Sequence, residues 1–256
     1  MAVSSLAEVL NQAGNEGRFQ VLSLLAITLP RVPIHWSLTM MSYGGYTPDW
    51  CCVPSHLNVN DECGVVVANA YQGPGTSNYS TAPSVPSLLS QCLNDSTCPR
   101  KQFVSEDDAS TVVTEWDLVC DLEWVVPVIS SVQMGGVAVG ALACGYASDL
   151  WGRRRVHFSM LLLHTLLNVI AGFSVSWQMF AVLRFFLGVS IGGYTVVHVP
   201  YVLEFQSPRW RAIPAAVPFS PLGASLLPLG AWLLPDWRWM HFICAILNAP
   251  FLLTYL

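Results

Sequence analysis

Two arginines carry the chemistry worth following first, because each sits inside an apolar run. Arg31 falls near the middle of Phe19–Met41, and Arg184 falls within Met179–Leu203. An ionised side chain at membrane depth is costly unless it faces water or a partner. A desolvated guanidinium favours carboxylates, which it can grip through two parallel N–H bonds. The chemistry on offer is therefore recognition of charge rather than bond-making. The chain has no phosphate-cradling glycine loop, no His-Glu-x-x-His and no Gly-x-Ser-x-Gly. Neither enzyme activity nor a cofactor is expected. His157, His164, His198 and His241 stand singly and read as packed or interfacial groups, not metal ligands. His35 and Trp36 follow just after Arg31, while Tyr194 and His198 follow Arg184 along its run.

These residues need elements to hold them, and one stretch orients the elements. Gly145-Tyr146-Ala147-Ser148-Asp149-Leu150-Trp151-Gly152-Arg153-Arg154-Arg155 lies between the apolar runs Trp124–Ala143 and Val156–Ser176. Each run is about long enough to cross a bilayer as a helix. Consecutive arginines resist translocation, so this turn belongs on the cytoplasmic side, which sets the direction of every other span. Gly145 and Gly152 would let two helices turn tightly. Asp149 can accept hydrogen bonds from Arg153 or from a helix N-terminus.

With 53% hydrophobic and 11% charged residues, the chain is too apolar for an ordinary soluble domain. Its charges are segregated. Arg18, Arg153, Arg154, Arg155, Arg209 and Arg211 fall in segments assigned to the cytoplasm, whereas eleven acidic residues lie between Asp49 and Glu123. The acidity therefore belongs to one loop, and the net charge of -5 implies nothing about nucleic acid, which is not an expected partner. The lipid bilayer is. Cys51, Cys52, Cys63, Cys92, Cys98 and Cys120 share that loop, an even set that suggests disulfides in an oxidising compartment, with the pairing open. Asn78-Tyr79-Ser80 and Asn94-Asp95-Ser96 make Asn78 and Asn94 glycosylation acceptors.

The patterning predicts a cytoplasmic lead over 1–18 and spans over 19–41, 124–146, 156–176, 179–203, 212–234 and 239–256. The long outer loop is 42–123, and the cytoplasmic connections are 147–155 and 204–211. Pro30 and Pro33 interrupt the first span, and Pro214, Pro218, Pro221 and Pro228 interrupt the fifth. Interior prolines remove helical hydrogen bonds and are tolerated in membranes where neighbours or water satisfy the freed carbonyls. Arg184, Gly188 and Gly192 share one helical face, where small residues allow a close neighbour.

The pattern Gly-x-x-Ser-Asp-x-x-Gly-Arg-Arg at 145–154 resembles the loop between helices 2 and 3 of the major facilitator superfamily. Gly17-Arg18-Phe19-Gln20, the cysteine-rich loop, Glu115-Trp116-Asp117-Leu118-Val119-Cys120 and Asp236-Trp237-Arg238 resemble its organic cation, anion and zwitterion transporters, the solute carrier family 22 type. The resemblance covers almost the whole chain. It implies an all-α integral membrane fold, the six-helix N-terminal bundle with a large disulfide-linked extracellular loop, in a multi-pass protein of the plasma membrane. It implies transport of a small organic ion by alternating access, and Arg31 weights anions over cations. The implied substrate pathway is Arg31, His35, Trp36, Arg184, Tyr194 and His198. The implied cytoplasmic gate is Gly145, Asp149, Gly152, Arg153, Arg154 and Glu204. For Arg184 two readings stay open: a packing seam holding one interfacial arginine, or a charge facing the pathway. The chain departs from the pattern in supplying six helices, so the expected partner is a second six-helix bundle or a full-length relative. A receptor-like or regulatory role is the alternative to transport.

Overall fold

The computed structural model describes residues 24–52, 101–104, 110–205, 219–234 and 236–253. The lead at 1–18, the loop at 206–211, Asn78, Asn94, Cys63, Cys92 and Cys98 lie outside them. Residues 24–28 are helical and lead through a turn at 29–30 into α1 (Arg31–Thr39) and α2 (Met41–Gly44). Pro30 and Pro33 explain the interruption: the Val32 N–H reaches only Leu29 O at 3.0 Å, one residue short of α-helical register. A two-stranded antiparallel ribbon follows, β1 (Asp49–Cys52) with β2 (Lys101–Val104), Asp49 opposite Val104. It brings the two ends of the 53–100 insertion together, a feature the apolar patterning does not contain.

The short α3 (Val112–Glu115) is closed by a reciprocal cap in which Thr111 and Thr114 each serve the other's backbone N–H. A single 3-10 turn, Cys120–Leu122, then enters α4 (Val125–Trp151). Cys120 is disulfide-bonded, whereas Cys144 and Cys244 are buried free thiols. α5 (Arg153–Gly172), α6 (Trp177–Phe205), α7 (Phe219–Leu233) and α8 (Trp237–Leu252) complete the described elements. Among the described residues three helical stretches, Cys120–Trp151, Arg153–Gly172 and Trp177–Glu204, are long and apolar enough to cross a membrane, and Pro221–Leu233 is a shorter apolar helix.

The connection expected over 147–155 differs from the one observed. α4 runs on to Trp151 and α5 begins at Arg153, so the loop is Gly152 alone. Gly152 has φ 89° and ψ 139°, a conformation that side chains with a Cβ avoid. Apolar and polar residues alike continue a helix when its backbone bonds are already running, and only this glycine stops it.

α6 is the central helix, packed on α4 and α5, with α8 against α5 and α7 against α1. The α4–α6 seam is set by glycines on both sides. A Cβ at Gly136 or Gly140 would lie 2.2 or 2.1 Å from the Phe185 or Val189 carbonyl oxygen, and one at Gly188 or Gly192 would lie 2.1 Å from the oxygen of Gln133 or Val137. The backbones touch directly, which is the role expected of the small face beside Arg184. At the loop end, Trp50, Val112, Val113, Leu118, Val119, Ile129, Phe180 and Trp237 form one buried cluster that seats the base of the loop on the helices.

Candidate functional site

Arg184 lies in the first third of α6 and is 1% exposed. Its Nη1 donates to the Ser37 carbonyl of α1 at 3.2 Å and to Gln133 Oε1 of α4 at 3.3 Å. Its Nη2 reaches His241 Nε2 of α8 at 3.5 Å, and its Cζ stands 4.8 Å from the centre of the Phe180 ring. Among the described residues no carboxylate pairs with it, and its Nε–H has no acceptor. A buried cation held by neutral acceptors and a ring face is an unusual solution, since burial of charge is ordinarily offset by a counter-ion.

The network continues outward from Arg184. Because His241 Nε2 accepts, Nδ1 carries the ring proton and donates to Asn168 Oδ1 of α5 at 3.0 Å. The Ser37 hydroxyl donates to the same oxygen at 3.4 Å. Asn168 Nδ2 donates to the His164 carbonyl at 2.9 Å, and Asn248 Nδ2 donates to His164 Nδ1 at 3.2 Å. Five helices are thus joined by one set of buried polar groups. The sequence reading missed Gln133, Asn168 and Asn248. Their signal was present as helical spacing, 164 with 168 and 241 with 248, inside otherwise apolar helices.

The six residues expected to share a pathway are distributed differently. Arg184, Tyr194 and His198 are each at most 2% exposed and lie inside the bundle. Tyr194 donates its hydroxyl to Ile27 O at 3.1 Å, and its ring lies 4.6 Å from that of His157 and 5.3 Å from that of His198. Trp36 is buried against α7, with Gly230 opening the space for its ring. Arg31 and His35 are only half-buried. His35 Nδ1 donates to the Arg31 carbonyl at 3.2 Å, and the Arg31 guanidinium has no hydrogen bond or ion pair among the described residues. Sequence placed all six on membrane helices; which face each presents is set by the neighbouring helices.

At the Gly152 end of the bundle, Arg153 pairs with Glu204 at 2.7 Å, both partly exposed. Asp149, expected to accept from Arg153 or from a helix N-terminus, is exposed and makes no ion pair with a described residue. The one-residue turn explains this, since Arg153 opens α5 and is aimed across at the end of α6. Gly145 passes Val196 of α6 at an ordinary distance, and Arg154 is exposed on the first turn of α5. At the opposite end, Glu115 accepts from Trp237 Nε1 at 2.8 Å and from Arg238 Nε at 3.3 Å, with Arg238 Nη2 on its other oxygen. Arg238 also donates to the carbonyls of Gly172 and Ser174, each at 2.8 Å. One guanidinium thereby ties the α5–α6 turn, the start of α8 and the segment before α4.

A cavity of about 290 Å³ opens between α1–α2 and α4, lined by Leu38, Thr39, Ser42, Ser130, Met134 and Gln133. Gln133 holds its amide in place by accepting from Arg184 and donating from Nε2 to Leu38 O at a long 3.5 Å.

Comparison with known proteins gives a family. Residues 76–256 match the model of the Major Facilitator Superfamily. The chain is 30% identical over 271 residues to solute carrier family 22 member 7 of Homo sapiens, covering 96% of this chain and 49% of that protein. It is 28% identical over 270 residues to the Sus scrofa member 7, with 96% and 49% covered. Over 277 residues it is 28% identical to solute carrier family 22 member 6 of Danio rerio, with 98% and 48% covered. The chain spans about half the length of the curated relatives it matches, aligning with their N-terminal half.

Proposed function

The chain belongs to the major facilitator superfamily, and from that premise we propose that it serves the movement of small organic ions across the plasma membrane, anions in preference to cations, by alternating access. The observation that carries the anion preference is Arg31. Its guanidinium is half-buried on an apolar helix, one turn from His35, with no partner among the described residues. A cation at such a depth is stabilised by an anionic group that comes to it. Arg184 has its neutral acceptors already and stays behind the helix surface. On this reading Arg31 and His35 face the pathway, while Trp36, Tyr194 and His198 shape the wall behind them.

The finer topology belongs to the same proposal. Six spans place the loop 42–123 outside, with Asn78 and Asn94 glycosylated and disulfides drawn from Cys51, Cys52, Cys63, Cys92, Cys98 and Cys120. Gly145, Asp149, Gly152, Arg153, Arg154 and Glu204 form the cytoplasmic gate, meeting a second six-helix bundle or a full-length relative.

The test is uptake by proteoliposomes holding the chain, comparing the anion fluorescein with the cation tetraethylammonium. Fluorescein uptake that falls about tenfold or more in Arg31→Ala is the expected result, with a hydrogen-bonded charge pair lost at that position. Preferential uptake of the cation, or uptake indifferent to Arg31→Ala, would sink the anion reading. Binding of fluorescein without uptake would favour the receptor-like alternative.

A further inference from the structure

Arg31 is the first residue of α1, directly after the break that Pro30 makes in the helix. Pro30 has no N–H to offer the Ala26 carbonyl four residues back, and Pro33 has none for Leu29. The helical piece 24–28 and α1 are therefore joined by one irregular turn, in which the Val32 N–H goes to Leu29 O at 3.0 Å. The bend between the two pieces is then set by what other helices do to it. Carbonyls on both sides of the turn are gripped from outside. After it, the α7 backbone meets Val32 at Gly223, where a Cβ would lie 2.3 Å from Val32 O. The Cys244 thiol of α8 reaches Pro33 O at 3.6 Å, a weak bond. Before it, the Tyr194 hydroxyl of α6 donates to Ile27 O at 3.1 Å. Among the described residues, Tyr194 is the one side chain of another helix that hydrogen-bonds to 24–28.

Tyr194 is itself held in place. It is 1% exposed, and its ring stands 4.6 Å from that of His157 on α5 and 5.3 Å from that of His198 one turn along α6. A ring packed on two faces cannot follow a moving carbonyl, so its hydroxyl pins Ile27 where it is. Arg31 lies near enough for its charge to act on both Tyr194 and His198, which puts the pinned carbonyl and the guanidinium in one neighbourhood. We propose that Tyr194 is a positioning residue for anion recognition: its hydroxyl, anchored on Ile27 O, fixes the bend of α1 and thereby aims the Arg31 guanidinium at the pathway. The role rests on the anion reading above and adds to it a residue that acts through Arg31 without touching the substrate.

The test is equilibrium binding of fluorescein to the full chain in nanodiscs, expressed per folded chain. Tyr194→Phe keeps the ring stack and should weaken fluorescein about fivefold or more through the loss of one hydrogen bond. Arg31→Ala should weaken it about tenfold or more. The double variant should bind as Arg31→Ala alone does, because the two changes act through one group. A tyrosine that merely held the fold would add its loss in either background. Unchanged binding in Tyr194→Phe, or a full added loss in the double variant, overturns the positioning role, while a loss in Arg31→Ala leaves the anion reading standing. Binding indifferent to Arg31→Ala removes both. Hydrogen exchange reads the bend without a ligand: 24–32 should exchange faster in Tyr194→Phe, with α4 as in wild type. Exchange unchanged over 24–32, or quickened in α4 as well, also overturns the role.

Discussion

Single side chains here act through what surrounds them. Asn168 accepts from His241 and from Ser37 and donates to the His164 carbonyl. Asn168→Leu leaves the His241 Nδ1–H buried with no acceptor, and is expected to cost about 1–3 kcal/mol in a thermal melt of the purified protein. A melt unchanged from wild type would mean that the network contributes nothing measurable. The Arg153–Glu204 pair sits at the other extreme. Its side chains are 33% and 53% exposed, so solvent screens the attraction. Arg153→Ala should change stability by less than about 1 kcal/mol, and any fall in transport beyond the fall in folded protein would then report the gate rather than the fold. Gly152 is a third case, because its φ of 89° belongs to glycine. Gly152→Ala should destabilise by about 1–3 kcal/mol through backbone strain alone.

At the scale of elements, the bundle is organised by how closely helices approach. α4 and α6 meet backbone to backbone along Gly136, Gly140, Gly188 and Gly192. Even a methyl group there must push the helices apart, since 2.1 Å to a carbonyl oxygen is far inside contact distance. Gly140→Ala should therefore lower the melting temperature and the yield of monodisperse protein. Gly145→Ala, where the nearest neighbour is the Val196 side chain at 3.6 Å, should do neither. The pair separates close packing from a general intolerance of substitution on α4. If both variants behaved alike, the glycine seam would not be what brings these helices together. The seam also positions the site: it brings Gln133 next to Arg184, which sits one turn before Gly188.

At the scale of the molecule, the loop is anchored to the bundle by a small polar latch over an apolar base. Glu115 is 122 and 123 residues from its partners Trp237 and Arg238, and Arg238 also reaches Gly172 and Ser174. Arg238→Lys keeps the charge but loses the planar fork that serves several acceptors at once. It should restore only part of what Arg238→Ala removes, read as faster hydrogen exchange over 110–124. Full rescue by lysine would reduce the latch to simple charge attraction.

The sequence alone determined that this chain lives in a membrane, where its longest apolar helices run, that glycines allow a tight turn near 145–152, and that small residues on α6 need a close neighbour. Those properties are local: hydropathy is a transfer free energy summed over a segment, and a positive φ is a constraint on one residue. The family was legible for the same reason, in short motifs at fixed spacing. Tertiary structure alone decided which way polar side chains face. Arg31 and Arg184 read alike in sequence, each a cation in an apolar run, yet one is half-open and without a hydrogen-bond or ion-pair partner among the described residues while the other is enclosed by Ser37, Gln133, His241 and Phe180. The face a helix turns inward depends on the shapes of helices far away in sequence, so no window along the chain contains it.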